Sequence, residues 1–339
     1  MATMDIFNNS AFSMTSLSGM VEKMDYVPQM LGSLNLFDPE PVRTRNVFVD
    51  RIEGGLTLIP TSADGSPPEN LKREDRDVVS MRTTRLAKDF TLYAYELDGI
   101  RATGTESELM GGQREYGRRL GRIRNDMEVT HEHHRLGALQ GVLLDADGST
   151  VIYDYSAEFN EAIPAAVSFE LDVDTTDVHK LCKDLARGMA RAGKGSLAGA
   201  QIHALAGDDF YDALVSHPNV EKFYLNYQAA NALREAQGQV FESFRVGGIT
   251  FHNYRGTDDN STVAVPAAEA KFFPVGARDV FKVAYAPLEA IGYVNTLGQS
   301  TNAMNIPASD RNMWTKGEIY SYPLYVCQQP RLLRRATLT

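Results

Sequence analysis

Cysteine is scarce in this sequence: Cys182 and Cys327 are the only two among 339 residues, and they lie far apart. This spacing excludes a disulfide framework and a cysteine-based zinc site. Both thiols are expected to be buried as small hydrophobic groups. Their scarcity suits a reducing compartment.

Long apolar runs are also missing. No stretch approaches the ~20 consecutive apolar residues that a membrane-spanning helix needs. The N-terminus lacks the charged-then-apolar pattern of a secretory signal. No internal repeat is present, which excludes solenoids and propellers. We therefore expect neither a membrane span nor a secretory leader.

The charge balance is acidic, with 44 Asp and Glu against 34 Lys and Arg and a formal net charge of -10. An acidic chain gains nothing from counterion release on a phosphate backbone, so its surface as a whole is not built to grip nucleic acid. Hydrophobic residues make up 43% of the chain and charged residues 23%. Both values are near those of globular proteins and predict a sizeable core.

Residues 106–143 carry the clearest pattern, which predicts one helix of roughly 50 Å. The apolar residues at helical spacing are Leu109, Tyr116, Leu120, Ile123, Met127, Leu136, Leu139 and Leu143. Ion pairs are expected between Glu115 and Arg119 and between Glu132 and Arg135. The turn at residues 145–148 is predicted to end the helix, and a strand follows at residues 150–155.

The N-terminal third reads as an arm followed by strands. Residues 1–40 are polar and Met-rich, with one short helical candidate near residues 16–24. This pattern predicts an extended arm that becomes ordered on a partner surface. Strands are predicted at residues 42–52, 56–59, 78–81 and 90–95. The polar stretch at residues 60–77 between them predicts a projecting hairpin or loop.

The remainder mixes short helices and strands, which argues for an α+β fold. The predicted elements are a strand at 167–173, a helix capped by Asp177 and running through Ala192, a strand at 202–205, and a helix that begins at Asp208 or Asp209. A further helical stretch carries Phe223, Tyr227, Ala230 and Leu233. A hairpin is predicted at 244–254 with its turn at Gly247-Gly248, followed by short strands over 263–339.

His131-Glu132-His133-His134 is the one cluster with metal-ligand chemistry. A zinc hydrolase helix needs its second His four residues after the first, and position 135 is Arg. His131 and His134 share a helix face, but no third ligand is identifiable. The favoured interpretation is a polar, partly exposed helix face.

Gly188 to Lys194 matches the first seven positions of a phosphate-binding loop, but the eighth is Gly195 and the segment follows a helix instead of a strand. It is therefore interpreted as a helix C-terminus. No nucleophile elbow and no dinucleotide fingerprint are present. The cluster of Arg331, Arg334 and Arg335 is interpreted as a solvated end, with a contact to DNA or an acidic neighbour as the alternative. No catalytic, cofactor-binding or metal-binding residue is predicted.

Several segments resemble, in order and spacing, the major capsid proteins of lambda-like tailed phages, the E-type capsid family. They are Leu136–Asp154 with Phe159, Ala206–Pro218 with Tyr224–Ala229, Phe244–Phe251 with Tyr254–Gly256, Phe273-Pro274, Tyr285–Pro287, Val294–Gly298 and Pro323-Leu324. The likeness spans about residues 27–332. The residues before Val27 have no counterpart, and Asn302–Met304 lacks an expected aromatic residue.

The resemblance implies the Hong Kong 97-type capsid fold. Its parts would be an N-terminal arm (1–41), an extended β-hairpin loop (42–100), a peripheral domain (101–197) with a spine helix at 106–143, an axial domain (198–310), and C-terminal strands (311–339) that return to the core. Gly54-Gly55, Gly111-Gly112 and Gly247-Gly248 are the expected hinge or turn sites.

The function that the resemblance implies is a non-enzymatic shell subunit. Hexamers and pentamers would close into an icosahedral head around double-stranded DNA, with no cofactor and no metal. Scaffold or protease, portal and decoration proteins are the further partners, and the host cytoplasm is the expected place of assembly. Two alternatives stay open: an encapsulin-like compartment shell and a metal-dependent hydrolase built on His131–His134.

Overall fold

The computed structural model describes residues 12–23, 30–52, 76–97, 108–221, 243–256, 263–308 and 313–339, without the side chains of 22–23, 50–52, 76–77, 97 and 108–111. The helices are α1 (Met14–Lys23), α2 (Met30–Ser33), α3 (Glu108–Gln140), α4 (Tyr155–Glu158), α5 (Val178–Ala192) and α6 (Asp208–Ser216). None of the helices among these residues is both long and apolar enough to cross a bilayer.

The strands are short and form five sheets within the described residues. They are β1 (Asp38–Pro41), β2 (Asn46–Ile52), β3 (Arg76–Arg82), β4 (Leu86–Tyr93), β5 (Val142–Leu144), β6 (Val151–Asp154), β7 (Val167–Ser168), β8 (Gln201–Ala206), β9 (Ser243–Val246), β10 (Ile249–Asn253), β11 (Glu269–Val275), β12 (Phe281–Tyr285), β13 (Asn302–Pro307), β14 (Trp314–Ser321), β15 (Pro323–Cys327) and β16 (Arg334–Thr337). The mixture confirms the predicted α+β class.

The largest sheet has six strands in the order β7-β16-β11-β8-β10-β9. Helices α5 and α6 pack on it through one apolar cluster that includes Cys182, Leu185, Phe210 and Phe272. The Asp177 side chain caps α5 by accepting from the Lys180 amide at 3.0 Å, as predicted. Helix α5 therefore shares one core with α6 and the six-stranded sheet.

Helix α3 has 33 residues, so it is about 50 Å long. It ends at Gln140 and not at Leu143, because Gly141 takes a φ of +85°. Leu143 lies in β5 instead, and residues 145–148 turn between β5 and β6. The predicted start at 106 lies outside the described residues, and Gly111-Gly112, predicted as a hinge, is helical.

The hairpin of β2 and β3 is confirmed, with Asn46 opposite Arg82 and Ile52 opposite Arg76. Val47, Val49 and Met81 turn inward to the central core. Residues 53–75, which hold Gly54-Gly55, the predicted strand at 56–59 and most of the polar stretch, lie outside the described residues. Strand β4 does not join this hairpin. It pairs instead with β14, in a three-stranded sheet of order β13-β14-β4.

The N-terminal arm packs on its own subunit where it is described. Phe12, Leu17 and Val21 enter a cluster with α3, and the Ala303 amide donates to Ser18 Oγ at 3.0 Å. The short helix expected near residues 16–24 is confirmed as α1. The expectation that the arm needs a partner surface is wrong for α1, whose apolar residues are buried against this chain.

At the end of the arm, β1 lies at the edge of the sheet β1-β12-β15. It runs parallel to β12, and the Val42 amide just beyond it donates to the Tyr285 carbonyl at 2.9 Å.

Two further predictions need correction. The strand expected at 167–173 covers only β7, because Glu170 takes a positive φ of 44° and the chain turns. The predicted helical residues Phe223, Tyr227, Ala230 and Leu233 lie outside the described residues. The hairpin at Gly247-Gly248 is confirmed by the pairing of β9 with β10.

We predict that Gly141→Ala destabilises the subunit by about 2 kcal/mol, because the φ is unfavourable for a side chain and an added Cβ would lie 2.2 Å from Ile163 Cδ1. The matched control is Gly188→Ala inside α5, where a Cβ meets nothing within 4 Å. The control should be neutral or stabilise by up to about 1 kcal/mol. The free energy of unfolding in denaturant measures both, and equal values would contradict the prediction.

Candidate assembly surfaces

A loop between β12 and β13 carries three exposed apolar side chains, and one of them, Ile291, is the most exposed large apolar side chain of the described residues. Ile291 is 96% exposed, Val294 68% and Leu297 54%. We call these three residues the apolar hook. Side chains of this kind gathered in one exposed loop mark an interaction site, since water penalises their exposure.

The loop that carries the hook contacts the subunit at both ends. The Gly298 amide donates to the Val42 carbonyl at 2.9 Å, and a Cβ on Gly298 would lie 2.0 Å from the Tyr285 carbonyl oxygen. At the other end Glu289 pairs with Arg45 at 2.5 Å and Arg85 at 2.6 Å, and these guanidiniums lower the pKa of Glu289 to about 2. The hook therefore lies between two points of attachment to the subunit.

The outer face of the β2–β3 hairpin is a second exposed apolar surface. Phe48 is 70% exposed and Val78 52%. Phe48 lies opposite Ser80, and Val78 lies opposite Asp50, so the two apolar side chains are diagonal neighbours on one face. The inward face packs on the core, so only this outer face is available to another molecule.

A buried carboxylate joins the arm to the long helix. Glu132 on α3 accepts from the Leu31 amide at 2.7 Å, the Gly32 amide at 3.1 Å and the Tyr254 hydroxyl at 3.4 Å. Arg135 lies 3.3 Å away, which confirms the predicted pair. Burial raises the pKa of Glu132, while the amides and Arg135 oppose that rise.

The interpretation of His131–His134 as a partly exposed face is wrong, since His131, Glu132 and His134 are all buried. This part of α3 is covered on several sides, by α2, β14 and β15. His131 Nε2 lies 3.3 Å from the Ser321 hydroxyl, and its Nδ1 lies 3.1 Å from the Tyr325 hydroxyl.

Both nitrogens of His131 are therefore engaged within the core. Ser321 already donates to the Ser300 carbonyl, so its oxygen accepts from His131 Nε2 and the Tyr325 hydroxyl donates to Nδ1. That leaves His131 no lone pair for a metal. Among the described residues no group of three His, Cys, Asp or Glu is placed to hold a metal ion.

Two further buried histidines lie on adjacent strands of the six-stranded sheet. His203 Nδ1 on β8 lies 2.9 Å from His252 Nε2 on β10, and the rings stack with centroids 5.0 Å apart. Burial lowers the pKa of His203 and lowers that of His252 to about 4. The pair is therefore neutral near pH 7.

The C-terminal arginines are structural, which corrects the prediction of a solvated end for two of the three. Arg331 pairs with Glu161 at 2.6 Å and donates to the Ala192 carbonyl at 3.0 Å. Arg334 donates to backbone carbonyls at the end of the chain and to Gly188. Only Arg335 is exposed.

The remaining motifs behave as predicted. Helix α5 ends at Ala192 with Gly193 as its C-cap, so the segment from Gly188 is a helix C-terminus. Cys182 and Cys327 are free and buried, and burial raises the pKa of each thiol to about 12.

The whole structure is similar to solved capsid proteins. A crystal structure described as a capsid protein of a prophage in E. coli CFT073 gives a TM-score of 0.58 at 14% identity, covering 96% of this chain and 99% of that one. The capsid of an empty GTA particle gives 0.51 at 10% identity, covering 94% and 93%. With the mixed helices and sheets described above, these likenesses define the Hong Kong 97-type α+β capsid fold.

The chain belongs to the phage major capsid protein E family, which it matches over residues 13–338. It is 25% identical over 359 residues to the major capsid protein of Salmonella phage Felix O1 (isolate Felix O1-VT1), covering 96% of this chain and 95% of that protein. It is 27% identical over 304 residues to the major capsid protein of Pseudomonas phage KPP10, covering 84% and 86%. The family match reaches residue 13 and so includes part of the arm, for which the resemblance had found no counterpart.

The sequence did not point to the apolar hook or to Phe48 as surface residues. Ile291, Val294 and Leu297 lie in an irregular segment, where no period distinguishes a buried apolar residue from an exposed one. Phe48 offers a weak signal, because it alternates with the inward Val47 and Val49 on a strand.

We predict that Glu132→Ala lowers the free energy of unfolding by about 2–4 kcal/mol, because two buried amides lose their acceptor and Arg135 loses a partner. Asp126→Ala, on the same helix but in an exposed pair with Lys88, is the matched control and should cost at most about 0.5 kcal/mol. Denaturant unfolding measures both. Comparable losses in the two variants would sink the idea that Glu132 joins the arm to the helix.

Acid should also destabilise the subunit through its buried histidines. Burial lowers the pKa of His134 to about 4. The folded state therefore binds a proton less readily than the unfolded state, in which a histidine has its ordinary pKa of about 6.5. Stability is therefore full above about pH 6.5 and is lost as the pH falls toward 4, by up to about 3 kcal/mol for this residue.

The measurement is the free energy of unfolding between pH 7 and pH 4. His134→Gln should flatten its decline relative to the parent chain. An unchanged slope in His134→Gln would contradict the assignment.

Proposed function

We propose that this capsid protein is the repeating subunit of an icosahedral phage head, forming hexamers and pentamers that enclose double-stranded DNA. The observation that carries the proposal is the combination of a long α3, a β2–β3 hairpin and exposed apolar surfaces on one subunit. An enzyme has no need of exposed apolar side chains at several separate places, whereas a shell subunit meets several neighbours at once.

Shell stability then follows from repetition. Each contact is modest, but one subunit engages many others, so the closed assembly is far more stable than any pair. The hook and the outer hairpin face supply apolar area that becomes buried only in the assembly. Flexing at the Gly247-Gly248 turn would let one sequence fit both hexamers and pentamers.

The division of the chain follows the core clusters. We assign the arm to 1–41 and the extended loop to 42–82, with β4 joining the peripheral sheet. The peripheral part then holds α3 and the β13-β14-β4 sheet, and the axial part holds the six-stranded sheet with α5 and α6. This differs from the sequence-based division in moving α5 to the axial part.

Scaffold or protease, portal and decoration proteins remain the proposed further partners, with assembly in the host cytoplasm before the capsid becomes part of the virion. The encapsulin-like compartment shares the fold class, but membership of the phage family favours the phage head. The hydrolase alternative has lost His131, whose nitrogens are both engaged.

The test is negative-stain microscopy of the purified chain, produced alone or with its scaffold, together with sedimentation velocity. Closed shells or tubes are expected. A chain that stays monomeric under assembly conditions would refute the proposal.

We predict that Ile291→Glu with Val294→Glu abolishes shells and leaves a folded, soluble subunit, because burying two carboxylates at a contact costs several kcal/mol. Ala190→Glu, at an exposed position on α5, is the matched control and should still assemble. Circular dichroism verifies folding of both variants. Normal shells from the double variant would show that the hook is not a contact.

A further inference from the structure

The β13-β14-β4 sheet carries a group of exposed aromatic side chains where β4 ends and β14 begins. Tyr95 is 69% exposed, Met313 59% and Tyr93 42%. The two tyrosine rings stack with centroids 5.5 Å apart, and Trp314 lies opposite Tyr93 across the strands. We call these four residues the aromatic patch. Aromatic and methionine side chains are enriched in protein interfaces, so the patch marks a further interaction surface.

The aromatic patch and the apolar hook lie at opposite ends of this sheet. Arg85, which pairs with Glu289 at the base of the hook, lies over the Tyr320 ring at 5.2 Å. Tyr320 is six residues from Trp314 along β14, a distance of about 20 Å. Both surfaces are exposed in the subunit, so neither covers the other within one chain.

The two surfaces are similar in size. From the exposed fractions of its side chains, each presents on the order of 400 Å² to water. A contact between them would bury roughly 800 Å² in total, which is less than the ~1,200 Å² of a stable complex. Such a contact is too small to hold an isolated pair, and it suits an assembly in which it is repeated many times.

The ion cluster at the base of the hook is positive. Glu289 is shared between Arg45 and Arg85, so the three side chains together have one net positive charge. The Arg85 side chain is 51% exposed, so this charge lies at the surface. A partner of the hook is therefore favoured if it carries negative charge beside its own apolar residues.

A second ion cluster, on the sheet face that carries the aromatic patch, has the opposite sign. Lys316 is shared between Asp89, at 2.5 Å, and Glu318, at 3.0 Å, so these three side chains have one net negative charge. Each lies two or four positions from Tyr93 or Trp314 on its own strand, which places it on the same face. The aromatic patch thus combines the apolar area and the negative charge that suit the hook.

We infer that the apolar hook of one subunit binds the aromatic patch of a second copy of this chain. The inference rests on the proposed function and deepens it, because it names the partner of the hook. The contact is head-to-tail, since each subunit binds one neighbour through its hook and another through its patch. A contact of this type closes into a ring when the rotation between copies closes, so one pair of surfaces joins several subunits.

The experiment is thiol cross-linking of the full chain under assembly conditions. Ile291→Cys with Tyr95→Cys places one thiol on the hook and one on the patch of the same subunit. The native Cys182 and Cys327 are fully buried, so the parent chain supplies the background. A short bis-maleimide is the cross-linker, and denaturing electrophoresis separates the products. Circular dichroism verifies that each variant is folded.

The double variant should give a ladder of dimers, trimers and larger products, because every subunit carries both partners of a head-to-tail contact. Ile291→Cys alone and Tyr95→Cys alone should each stay monomeric. A mixture of these two single variants should give dimers and nothing larger. Dimers from Ile291→Cys alone would show that hooks meet one another, and they would overturn the inference.

The outer face of the β2–β3 hairpin provides the matched control, because Phe48 and Tyr95 are about equally exposed. Ile291→Cys with Phe48→Cys should give no ladder. A ladder from this pair alone would place the hook on the hairpin of a neighbour. Equal ladders from both pairs would indicate random collision. Either result refutes the inference.

A second variant tests the aromatic patch without added cysteines. Tyr95→Glu with Met313→Glu should lose shells, as the hook variant does, because carboxylates would be buried at the contact. Arg187→Glu with Ala190→Glu, at exposed positions on α5, should still assemble. Normal shells from the patch variant would contradict the inference.

Shell formation by the parent chain separates this test from that of the proposed function. If the parent chain forms shells and the double cysteine variant gives no ladder, only the inference fails. If the parent chain forms no shells, the proposed function fails, and the inference that rests on it fails as well.

Discussion

The carboxylate of Glu132 is the constraint on which the arrangement of the subunit depends. It is buried on α3, and it accepts from two amides of the N-terminal segment and from the Tyr254 hydroxyl beyond β10. A buried charge is tolerated only when hydrogen bonds replace its water. The chain must therefore bring the arm, the long helix and the C-terminal end of β10 together around this carboxylate. The relative placement of the three follows from that requirement.

Features determined by neighbouring residues could be predicted from the sequence. The Asp177 cap, the end of α5 at Ala192 and the turn at Gly247-Gly248 each depend on a few adjacent residues, and the structure has them as expected. The middle of α3 was predictable for the same reason, because Tyr116 to Met127 repeats at helical spacing over several turns. The resemblance added the fold, which no local pattern contained.

Features determined by distant contacts could not be predicted. The partner of β4 is β14, more than 200 residues away. Nothing in the sequence indicated this pairing, and β4 was grouped with the extended loop at 42–100. The burial of His131 and His134 likewise depends on β15 and α2, which a helical pattern does not reveal. The apolar hook was not predicted for the opposite reason. Apolar residues are normally expected to be buried, and only the folded subunit shows that Ile291 is exposed.

Strand β1 shows how a subunit of this kind avoids joining its copies in the wrong way. The backbone amide of Val42 donates to β12. Because amide positions alternate along a strand, those of residues 38 and 40 are also directed at β12. Pro39 and Pro41 therefore occupy the positions whose amides would be directed away from the sheet. Proline has no amide hydrogen, so the open side of β1 offers no donor at either position. An unpaired strand edge with free amide donors would otherwise be able to pair with the edge of a neighbouring copy and form open-ended sheets. Because the two prolines block strand pairing at β1, the curvature and closure of a shell depend there on side-chain contacts between subunits.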